Sequence, residues 1–462
     1  MFRKLLIANR GEIALRIQRT CREMGIDTVG IYSTEDRESL HIQFCTESVC
    51  VGDKKASQSY LNMDAIITAA IHTECDAIHT GFGFLSENSE FARLCEENGI
   101  TFVGPSGDVI DQMGNKAMAR SIMIANNIPV VPGSDGPVAS AEAGLLIAKE
   151  IGFPVLIKAS AGGGGRGMRR VFSEDEFISL YETARLEAKA CFGNDEMYLE
   201  KLVLNPKHIE FQILADSFGN VIHLGERDCS IQRKNQKLIE ESPSKNISEE
   251  LRTRMGQDAV KAAKAVNYTN AGTIEFVLDE AGNYYFIEMN TRIQVEHPVT
   301  EMRTGIDLIK EQIRIASGLA IEVKQEEINF NGHAIECRIN AENPWEDFKP
   351  NCGEIKFLHL PGGNGVRVDT LLYQGYRTSP FYDSMMAKII VHGKTRLEAI
   401  RRMRRALEET VIDGIETNIQ LSNLILYHKD FLSGQYNTGF MEENMERFIE
   451  TRDAVVNFKD EE

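Results

Sequence analysis

The first 114 residues alternate short apolar runs with longer amphipathic stretches, and this alternation constrains the fold more than any other feature. The strand-like runs cover residues 4–8, 28–32 and 77–79, and the helix-like stretches cover residues 12–24, 61–72 and 90–98. This order predicts βαβ units, hence a doubly wound parallel sheet and an α/β fold. The first turn has one glycine, Gly11, where a dinucleotide fingerprint needs three, so an NAD site is not expected there.

The charge balance disfavours one class of partner. Of the 462 residues, 51 are Lys or Arg and 69 are Asp or Glu, which gives a net charge of −18. Phosphate neutralisation needs the opposite balance, so we expect no nucleic-acid partner.

No apolar run reaches the roughly 18 residues of a membrane span. The nine scattered cysteines contain no Cys-x-x-Cys pair and indicate reduced thiols in a cytoplasmic protein.

Polar side chains recur at every second position of residues 286–301. Strand spacing predicts that one face carries Glu288, Asn290, Arg292, Gln294 and Glu296. Two carboxylates, two amides and a guanidinium suit a metal-nucleotide and a small anion. The alternative is an amphipathic strand with a solvated polar face. The proline at position 298 should end this strand, so we expect a structural role for His297, the residue before it.

A second carboxylate is expected beside this face. Residues 273–278 and 284–290 read as antiparallel strands joined by a turn at 279–283. Their pairing brings Glu275 near Glu288. Adjacent carboxylates repel unless they lie in solvent or share a hard cation such as Mg²⁺, and we favour the cation.

A glycine-rich loop follows the strand-like run at residues 155–159. Residues 162–165 are four consecutive glycines, and Gly167 follows one residue later. Each costs roughly 0.5–1 kcal/mol of conformational entropy, a cost best explained if bare N–H groups approach phosphate. The spacing satisfies G-x-G-x-x-G, but residues 168–171 continue as a strand and open no helix. We therefore predict a hairpin tip that covers phosphate, with Lys158 beside it.

Four segments carry a resemblance to a known family, namely residues 158–168, 226–233, 236–237 and 287–301. Further marks lie at residues 3–14, 114–116, 336–342, 361–363 and 382–384. Together they resemble the ATP-grasp superfamily, and within it the biotin carboxylase family, over about residues 1–446. The resemblance implies four regions: an N-terminal Rossmann-like domain at 1–114, an ATP-grasp domain at 115–328 with a mobile glycine-rich lid at about 130–203, a C-terminal β-rich domain at 329–446, and a charge-rich tail at 447–462.

The resemblance also implies roles for individual residues. The nucleotide would be held by Lys116, Lys158, Gly162, Gly163, Gly164, Gly165, Gly167, Glu200, Lys201, Val203, His208, Gln232 and Asn235. Two Mg²⁺ or Mn²⁺ ions would be bound by Glu275, Glu288 and Asn290. Bicarbonate would be held by Lys237, Arg292, Gln294 and the Val295 backbone, with Glu296 as its general base. Arg338 would face the ureido oxygen of biotin and complete the catalytic set of Glu296, Arg292 and Lys237.

The reaction implied is ATP- and bicarbonate-dependent carboxylation of biotin through carboxyphosphate, the work of a ligase. It is the first half-reaction of acetyl-CoA carboxylase in fatty acid synthesis. The sequence has no biotinyl-lysine motif, so we expect a separate biotin carboxyl carrier protein and separate carboxyltransferase subunits, and the family implies a homodimer. A subunit of a pyruvate, 2-oxoglutarate or other acyl-CoA carboxylase, a different ATP-grasp ligase and a non-catalytic paralogue remain alternatives.

Three positions depart from the family pattern. Asn235 stands where the family usually has histidine near the ribose, which predicts altered nucleotide affinity. Thr80 and Phe82 stand where Pro and Tyr are commoner, and the missing phenolic hydroxyl predicts a looser biotin contact. None of the proposed acid, base or metal residues is missing, so an active enzyme is expected.

Overall fold

The computed structural model of the protein describes residues 1–159 and 167–460. The chain divides into two compact units. The larger unit comprises Met1–Ile128, Lys207–Phe276 and Glu288–Glu462, and the smaller comprises Pro129–Pro206 and Val277–Ile287. Within the described residues, no helix is long and apolar enough to cross a membrane.

The chain begins with a five-stranded parallel sheet, as its alternating pattern predicts. The strands are β1 (Lys4–Ile7), β2 (Asp27–Ser33), β3 (Glu47–Gly52), β4 (Ala77–His79) and β5 (Thr101–Phe102), in the order β3-β2-β1-β4-β5. The helices are α1 (Gly11–Glu23), α2 (Leu40–Phe44), α3 (Met63–His72), α4 (Ser89–Glu97), α5 (Gly107–Gly114) and α6 (Lys116–Ala125). The strand order reverses at β1 and β4, and ligands of such sheets bind at this kind of switch point.

The smaller unit contains a three-stranded antiparallel sheet. Its elements are α7 (Ala141–Ile151), β6 (Val155–Ala159), β7 (Met168–Val171), α8 (Glu174–Phe192) and β8 (Met197–Lys201), with the strand order β7-β6-β8. Strands β6 and β7 pair from Val155 with Val171 to Lys158 with Met168. The hairpin predicted around the glycine-rich loop is therefore present. Residues 160–166, which include Gly162, Gly163, Gly164 and Gly165, lie outside the described residues.

An eight-stranded sheet continues the chain. Its strands are β9 (Lys207–Ala215), β10 (Val221–Arg233), β11 (Gln236–Ser242), β12 (Asn270–Leu278), β13 (Tyr284–Asn290), β14 (His333–Asn340), β18 (Val366–Thr370) and β19 (Met385–Gly393), in the order β13-β12-β9-β10-β11-β14-β19-β18. The short strands between β14 and β18 are β15 (Glu342–Asn343), β16 (Lys349–Pro350) and β17 (Phe357–His359), and β20 (Val411–Asp413) pairs with β17. Strands from the ATP-grasp and C-terminal regions of the sequence thus share one sheet.

Helices cover this sheet and complete the core. They are α9 (Glu249–Ala265), α10 (His297–Thr304), α11 (Leu308–Ala316), α12 (Arg396–Glu409), α13 (Ile419–Tyr427), α14 (Lys429–Ser433) and α15 (Phe440–Asp460). The amphipathic pattern at residues 395–409 forms α12, which packs Ile400 and Met403 into the C-terminal core. Helix α15 runs continuously through residue 446, and Phe448 on it is buried in the same core.

The strand predicted across residues 286–301 is wrong beyond Asn290. Strand β13 ends there, residues 291–296 are irregular, and α10 begins at His297 with Pro298 in its first turn. The fixed φ of proline suits the first turn of a helix as well as the end of a strand, so Pro298 opens α10. Glu296 consequently occupies the N-cap position of α10 and does not lie on a strand face.

Candidate active site

One largely buried lysine of the larger unit binds three carboxylates. Lys237, at the start of β11, donates to Glu210 Oε2 at 2.6 Å, to Glu296 Oε1 at 2.6 Å and to Glu275 Oε1 at 3.1 Å. Burial alone would lower the pKa of Lys237, but the three carboxylates outweigh it and hold that pKa well above its ordinary value. The lysine is therefore a fixed positive charge.

Glu296 accepts from a second cation on its other oxygen. Arg338 on β14 donates to Glu296 Oε2 at 3.0 Å, and its Nε donates to Glu240 Oε1 at 2.6 Å. Although burial opposes ionisation, Lys237, Arg338 and Arg227 hold the pKa of Glu296 well below its usual range. Glu296 is thus an ionised carboxylate, the form that can accept a proton, at zero solvent exposure.

Glu275 is surrounded by polar side chains. Its Oε1 accepts from Asn290 Nδ2 at 2.9 Å and from Gln294 Nε2 at 3.1 Å, and its Oε2 lies 3.1 Å from His208 Nε2. Against the effect of burial, Lys237 and His208 hold the pKa of Glu275 below its usual range. The structure therefore brings together five predicted residues: His208, Lys237, Glu275, Asn290 and Gln294.

Glu288 is more exposed than these residues and contacts a different lysine. Its Oε2 is 3.6 Å from Lys116 Nζ, and its side chain is 39% exposed. The proximity of Glu275 and Glu288 stays a prediction. Hard cations such as Mg²⁺ prefer carboxylate and amide oxygens, which Glu275, Glu288 and Asn290 carry, so these residues fit the expected metal.

Arg292 is held in place by a residue that the sequence analysis did not identify. Glu87, in the segment between β4 and α4, accepts from Arg292 Nε at 2.8 Å and from the Thr291 N–H at 3.2 Å. The guanidinium also donates to Asn290 Oδ1 at 3.1 Å and to Gln294 Oε1 at 3.3 Å. Glu87 thus fixes the backbone at Thr291 and the side chain of Arg292.

Glu210, Arg227 and Glu240 also belong to the charged cluster around Lys237 and Glu296, and the sequence did not predict them. Arg227 is wholly buried and donates from Nε to Glu210 Oε1 at 2.5 Å, and Glu240 holds Arg338 as described. The signal for Glu210 was present, because His208, Glu210 and Gln212 alternate with apolar residues along β9. Arg227 and Glu240 lie in mixed segments with no comparable pattern.

The smaller unit carries the predicted nucleotide residues Lys158, Gly167, Glu200, Lys201 and Val203 within its described part. Lys158 on β6 and Glu200 on β8 form an ion pair, with side chains 35% and 27% exposed. Lys201 Nζ donates to the Gly152 and Phe153 carbonyls at 2.7 and 3.0 Å, and Val203 follows β8. Gly167 has φ +68, and a Cβ there would lie 2.8 Å from the Ala159 Cβ, so the position favours glycine.

The departures from the family pattern have defined places. Asn235 and Lys234, with φ values of 65 and 47, form the two-residue turn between β10 and β11, next to the paired Gln232 and Lys237. Asparagine tolerates this left-handed conformation better than most residues. The Phe82 ring centroid is 5.9 Å from Lys388 Nζ, and Thr80 is buried with its carbonyl accepting from Asn9 Nδ2 at 2.6 Å.

Family models match almost the whole chain. The model described as "Biotin carboxylase, N-terminal domain" matches residues 1–110, "Carbamoyl-phosphate synthase L chain, ATP binding domain" matches residues 115–324, and "Biotin carboxylase C-terminal domain" matches residues 336–443. Together with the antiparallel sheet and its carboxylate cluster, these matches define an ATP-grasp enzyme.

Individual relatives narrow the class. "Biotin carboxylase 1" of Bacillus subtilis is 57% identical over 443 residues, which cover 96% of this chain and 98% of that protein. A pyruvate carboxylase subunit of Methanothermobacter thermautotrophicus is 51% identical over 443 residues, which cover 96% of this chain and 90% of that protein. The chain belongs to the biotin carboxylase family and is a ligase.

A solved structure agrees in fold and sequence. It is the biotin carboxylase domain dimer of the Hydrogenobacter thermophilus 2-oxoglutarate carboxylase in complex with MgADP, ADP and bicarbonate. That structure is 52% identical, with a TM-score of 0.89, and the match covers 97% of this chain and 99% of that one.

Proposed function

We propose that the protein is the biotin carboxylase subunit of an acetyl-CoA carboxylase, and that it carboxylates biotin on a separate carrier protein with ATP and bicarbonate. The carboxylation of biotin is the reaction of its family. The observation that carries the assignment of residues is the position of Glu296, an ionised carboxylate between the cations Lys237 and Arg338. A base between two cations suits an anion that must be held and deprotonated.

Bicarbonate would be held by Lys237, Arg292, Gln294 and the Val295 backbone. The ammonium and guanidinium groups neutralise the anion in a buried site, where charge interactions are stronger than in water. Glu296 would take its proton, because a deprotonated oxygen is the better nucleophile toward the γ-phosphorus of ATP. The bond formed joins this oxygen to phosphorus, the bond to the leaving ADP breaks, and the product is carboxyphosphate.

The nucleotide would be held by side chains from several elements. Lys116 and Lys158 would contact phosphates, Gly162–Gly165 and Gly167 would cover them, and Glu200, Lys201 and Val203 would receive adenine, with His208, Gln232 and Asn235 nearby. Glu275, Glu288 and Asn290 would hold two Mg²⁺ or Mn²⁺ ions, which supply charge stabilisation to the transferred phosphoryl group. A nucleotide with phosphate at Lys158 and adenine at Glu200 would replace the ion pair between these two residues.

Arg338 would act on biotin. Carboxyphosphate releases CO₂ and phosphate, the phosphate takes the proton of the ureido nitrogen, and that nitrogen attacks CO₂. The negative charge that develops on the ureido oxygen would be stabilised by the planar guanidinium of Arg338, which Glu240 holds in place. Phe82, which lacks a phenolic hydroxyl, would weaken the contact with biotin.

The assignment is tested by product formation. Purified protein is incubated with Mg-ATP, radiolabelled bicarbonate and free biotin, and acid-labile label on biotin is counted. We expect label that requires both ATP and biotin. ATP cleavage that needs bicarbonate but leaves biotin unlabelled would contradict the role of Arg338, and no cleavage by folded protein would favour a non-catalytic paralogue.

The proposal also covers the acyl acceptor and the partner proteins. The relatives named above include a 2-oxoglutarate carboxylase domain and one subunit of a pyruvate carboxylase, so these acceptors are the alternatives to acetyl-CoA. The domain dimer of the Hydrogenobacter relative supports a homodimer. A biotin carboxyl carrier protein and carboxyltransferase subunits would supply the remaining functions, and nine free cysteines support a cytoplasmic location. Copurification of a biotinylated partner, followed by assays with each acceptor, decides among these.

We propose domain limits at 1–114, 115–328 with a lid at about 130–203, and 329–446, followed by residues 447–462. The family matches at 1–110, 115–324 and 336–443 support the first three limits.

A further inference from the structure

Residues 291–296, which include the proposed bicarbonate ligands, are irregular, yet two of their carbonyl groups accept hydrogen bonds from buried side chains. The Gln294 carbonyl accepts from His297 Nδ1 at 2.8 Å. The Val295 carbonyl accepts from Lys388 Nζ at 2.9 Å. Neither His297 nor Lys388 belongs to the bicarbonate set predicted from the sequence. Both side chains have zero solvent exposure.

The contact of His297 determines its tautomer. A carbonyl oxygen can only accept, so Nδ1 of this ring carries the hydrogen. Burial and the nearby charge of Lys388 hold the pKa of His297 well below its usual range, which keeps the ring neutral. Its Nε2 then carries no hydrogen, and it has no hydrogen-bond partner within the described part of the chain.

Fixing a carbonyl also fixes the N–H of the same peptide plane. The C=O of Gln294 and the N–H of Val295 belong to one trans peptide and point in opposite directions. Val295 N–H has no acceptor among residues 1–159 and 167–460. The bond from His297 to Gln294 therefore sets the direction of a free donor, and Lys388 does the same for the next peptide, which contains the Glu296 N–H.

Lys388 is itself fixed by charge. It lies on β19 opposite Arg338 on β14 and Asp369 on β18, and its Nζ is 3.0 Å from Glu12 Oε1. Burial alone would lower the pKa of Lys388, but Glu12, Glu336 and Asp369 together raise it. The lysine is therefore a charged donor held between a carboxylate of α1 and the Val295 carbonyl.

We propose that His297 and Lys388 are positioning residues for bicarbonate, which hold two successive peptides so that the Val295 N–H points at the anion. This role rests on the proposed function, because it uses the bicarbonate site assigned there. Neither side chain touches the reacting atoms in this account, and both act through the backbone between Gln294 and Glu296.

The first test compares two substitutions of one residue. The amide nitrogen of asparagine can take the place of Nδ1, whereas glutamine can take only the place of Nε2. We expect His297→Gln to raise the KM for bicarbonate about tenfold, as expected for one lost hydrogen bond, with the KM for Mg-ATP unchanged. His297→Asn should restore a bicarbonate KM near that of the wild type.

A matched control separates positioning from general packing. His41 is also buried, and its Nε2 lies 3.0 Å from the Ile31 carbonyl, in the parallel sheet region. His41→Asn should lower the melting temperature without changing the KM for bicarbonate. Equal impairment of His297→Asn and His297→Gln, or parallel increases in both KM values, would overturn the proposal.

Two further measurements do not depend on the stability of the His297 variants. Nitrogen-15 NMR of histidine-labelled wild-type protein should show His297 as the neutral Nδ1–H tautomer, and an Nε2–H tautomer would overturn the proposal. The double variant Lys388→Met with Glu12→Gln removes both buried charges together and should also raise the bicarbonate KM selectively. Wild-type ATP cleavage that ignores bicarbonate would instead contradict the proposed function itself.

Discussion

The cluster around Glu296 in the larger unit and the ion pair of Lys158 in the smaller unit differ in how completely the protein alone builds them. Glu296 is fully buried, and both its oxygens accept from cations that other carboxylates hold. Lys158 and Glu200 are partly exposed and pair with each other. With the proposed roles, this difference means that the anion site is preorganised, whereas Lys158 and Glu200 would exchange partners when the nucleotide binds.

Removal of the base should have the largest effect. Glu296→Gln keeps the shape of the side chain but cannot accept a proton, so we expect the kcat for bicarbonate-dependent ATP cleavage to fall about a thousandfold. Glu241→Gln is the matched control, because Glu241 is equally buried and bonded to Arg396 and His333. The control should lose stability and keep most of its activity. A Glu296→Gln enzyme within tenfold of wild type would refute the assignment of the base.

The next effect comes from the central cation. Lys237→Met leaves Glu210, Glu275 and Glu296 without their shared donor, so kcat/KM for bicarbonate should fall about a hundredfold. The melting temperature should also fall, because a buried carboxylate without its partner is costly. Steady-state kinetics and thermal unfolding measure both effects. A variant that loses melting temperature but keeps the wild-type kcat/KM for bicarbonate would show that the cluster is structural only.

The smaller unit should respond differently. Lys158 is proposed to contact phosphate, so we expect Lys158→Gln to raise the KM for Mg-ATP about tenfold while the KM for bicarbonate stays constant. A partly exposed ion pair contributes only about 0–1 kcal/mol, so the free energy of unfolding should hardly change. A large loss of stability in this variant would contradict the contrast between the two units.

The smallest expected effect is a change in pH dependence. Burial raises the pKa of Glu240 to about 7, against the opposing charge of Arg338. Below that pH the carboxyl is neutral and holds Arg338 less strongly, so kcat/KM for biotin should increase as the pH rises through about 7. Glu240→Gln, which stays neutral, should remove this increase and leave a lower, flatter profile. An identical profile in the variant would exclude Glu240 as the cause.

Much of the fold could be predicted because its signals are local. The alternation in residues 1–114 predicted the parallel sheet, and the strand-like runs on either side of the glycine-rich loop predicted the hairpin of β6 and β7. The continuation of β13 to residue 301 was wrong because alternating polar side chains fit any extended segment. Helix α10 begins at His297 with Pro298 in its first turn, and distant side chains such as Lys388 bond the segment before it, which the alternating pattern does not reveal.

The residues proposed to take part in the chemistry could be predicted, but the residues that hold them in place could not. The family resemblance implied roles for Lys237, Glu296 and Arg338, and the structure brings these three residues together. Glu87 was missed because it is 205 residues from Arg292 in the chain, and its short-range context is only a turn after β4. Contacts of this kind depend on the packing of elements and leave no periodic pattern in the sequence.

The most direct test of this account is ADP release from Mg-ATP by the wild type and by Glu296→Gln, with and without bicarbonate and free biotin. The account predicts that wild-type turnover needs bicarbonate, increases with biotin, and is lost in the variant. Bicarbonate-independent turnover, or equal turnover by both proteins, would contradict the conclusion that the cluster around Glu296 is a preorganised bicarbonate site.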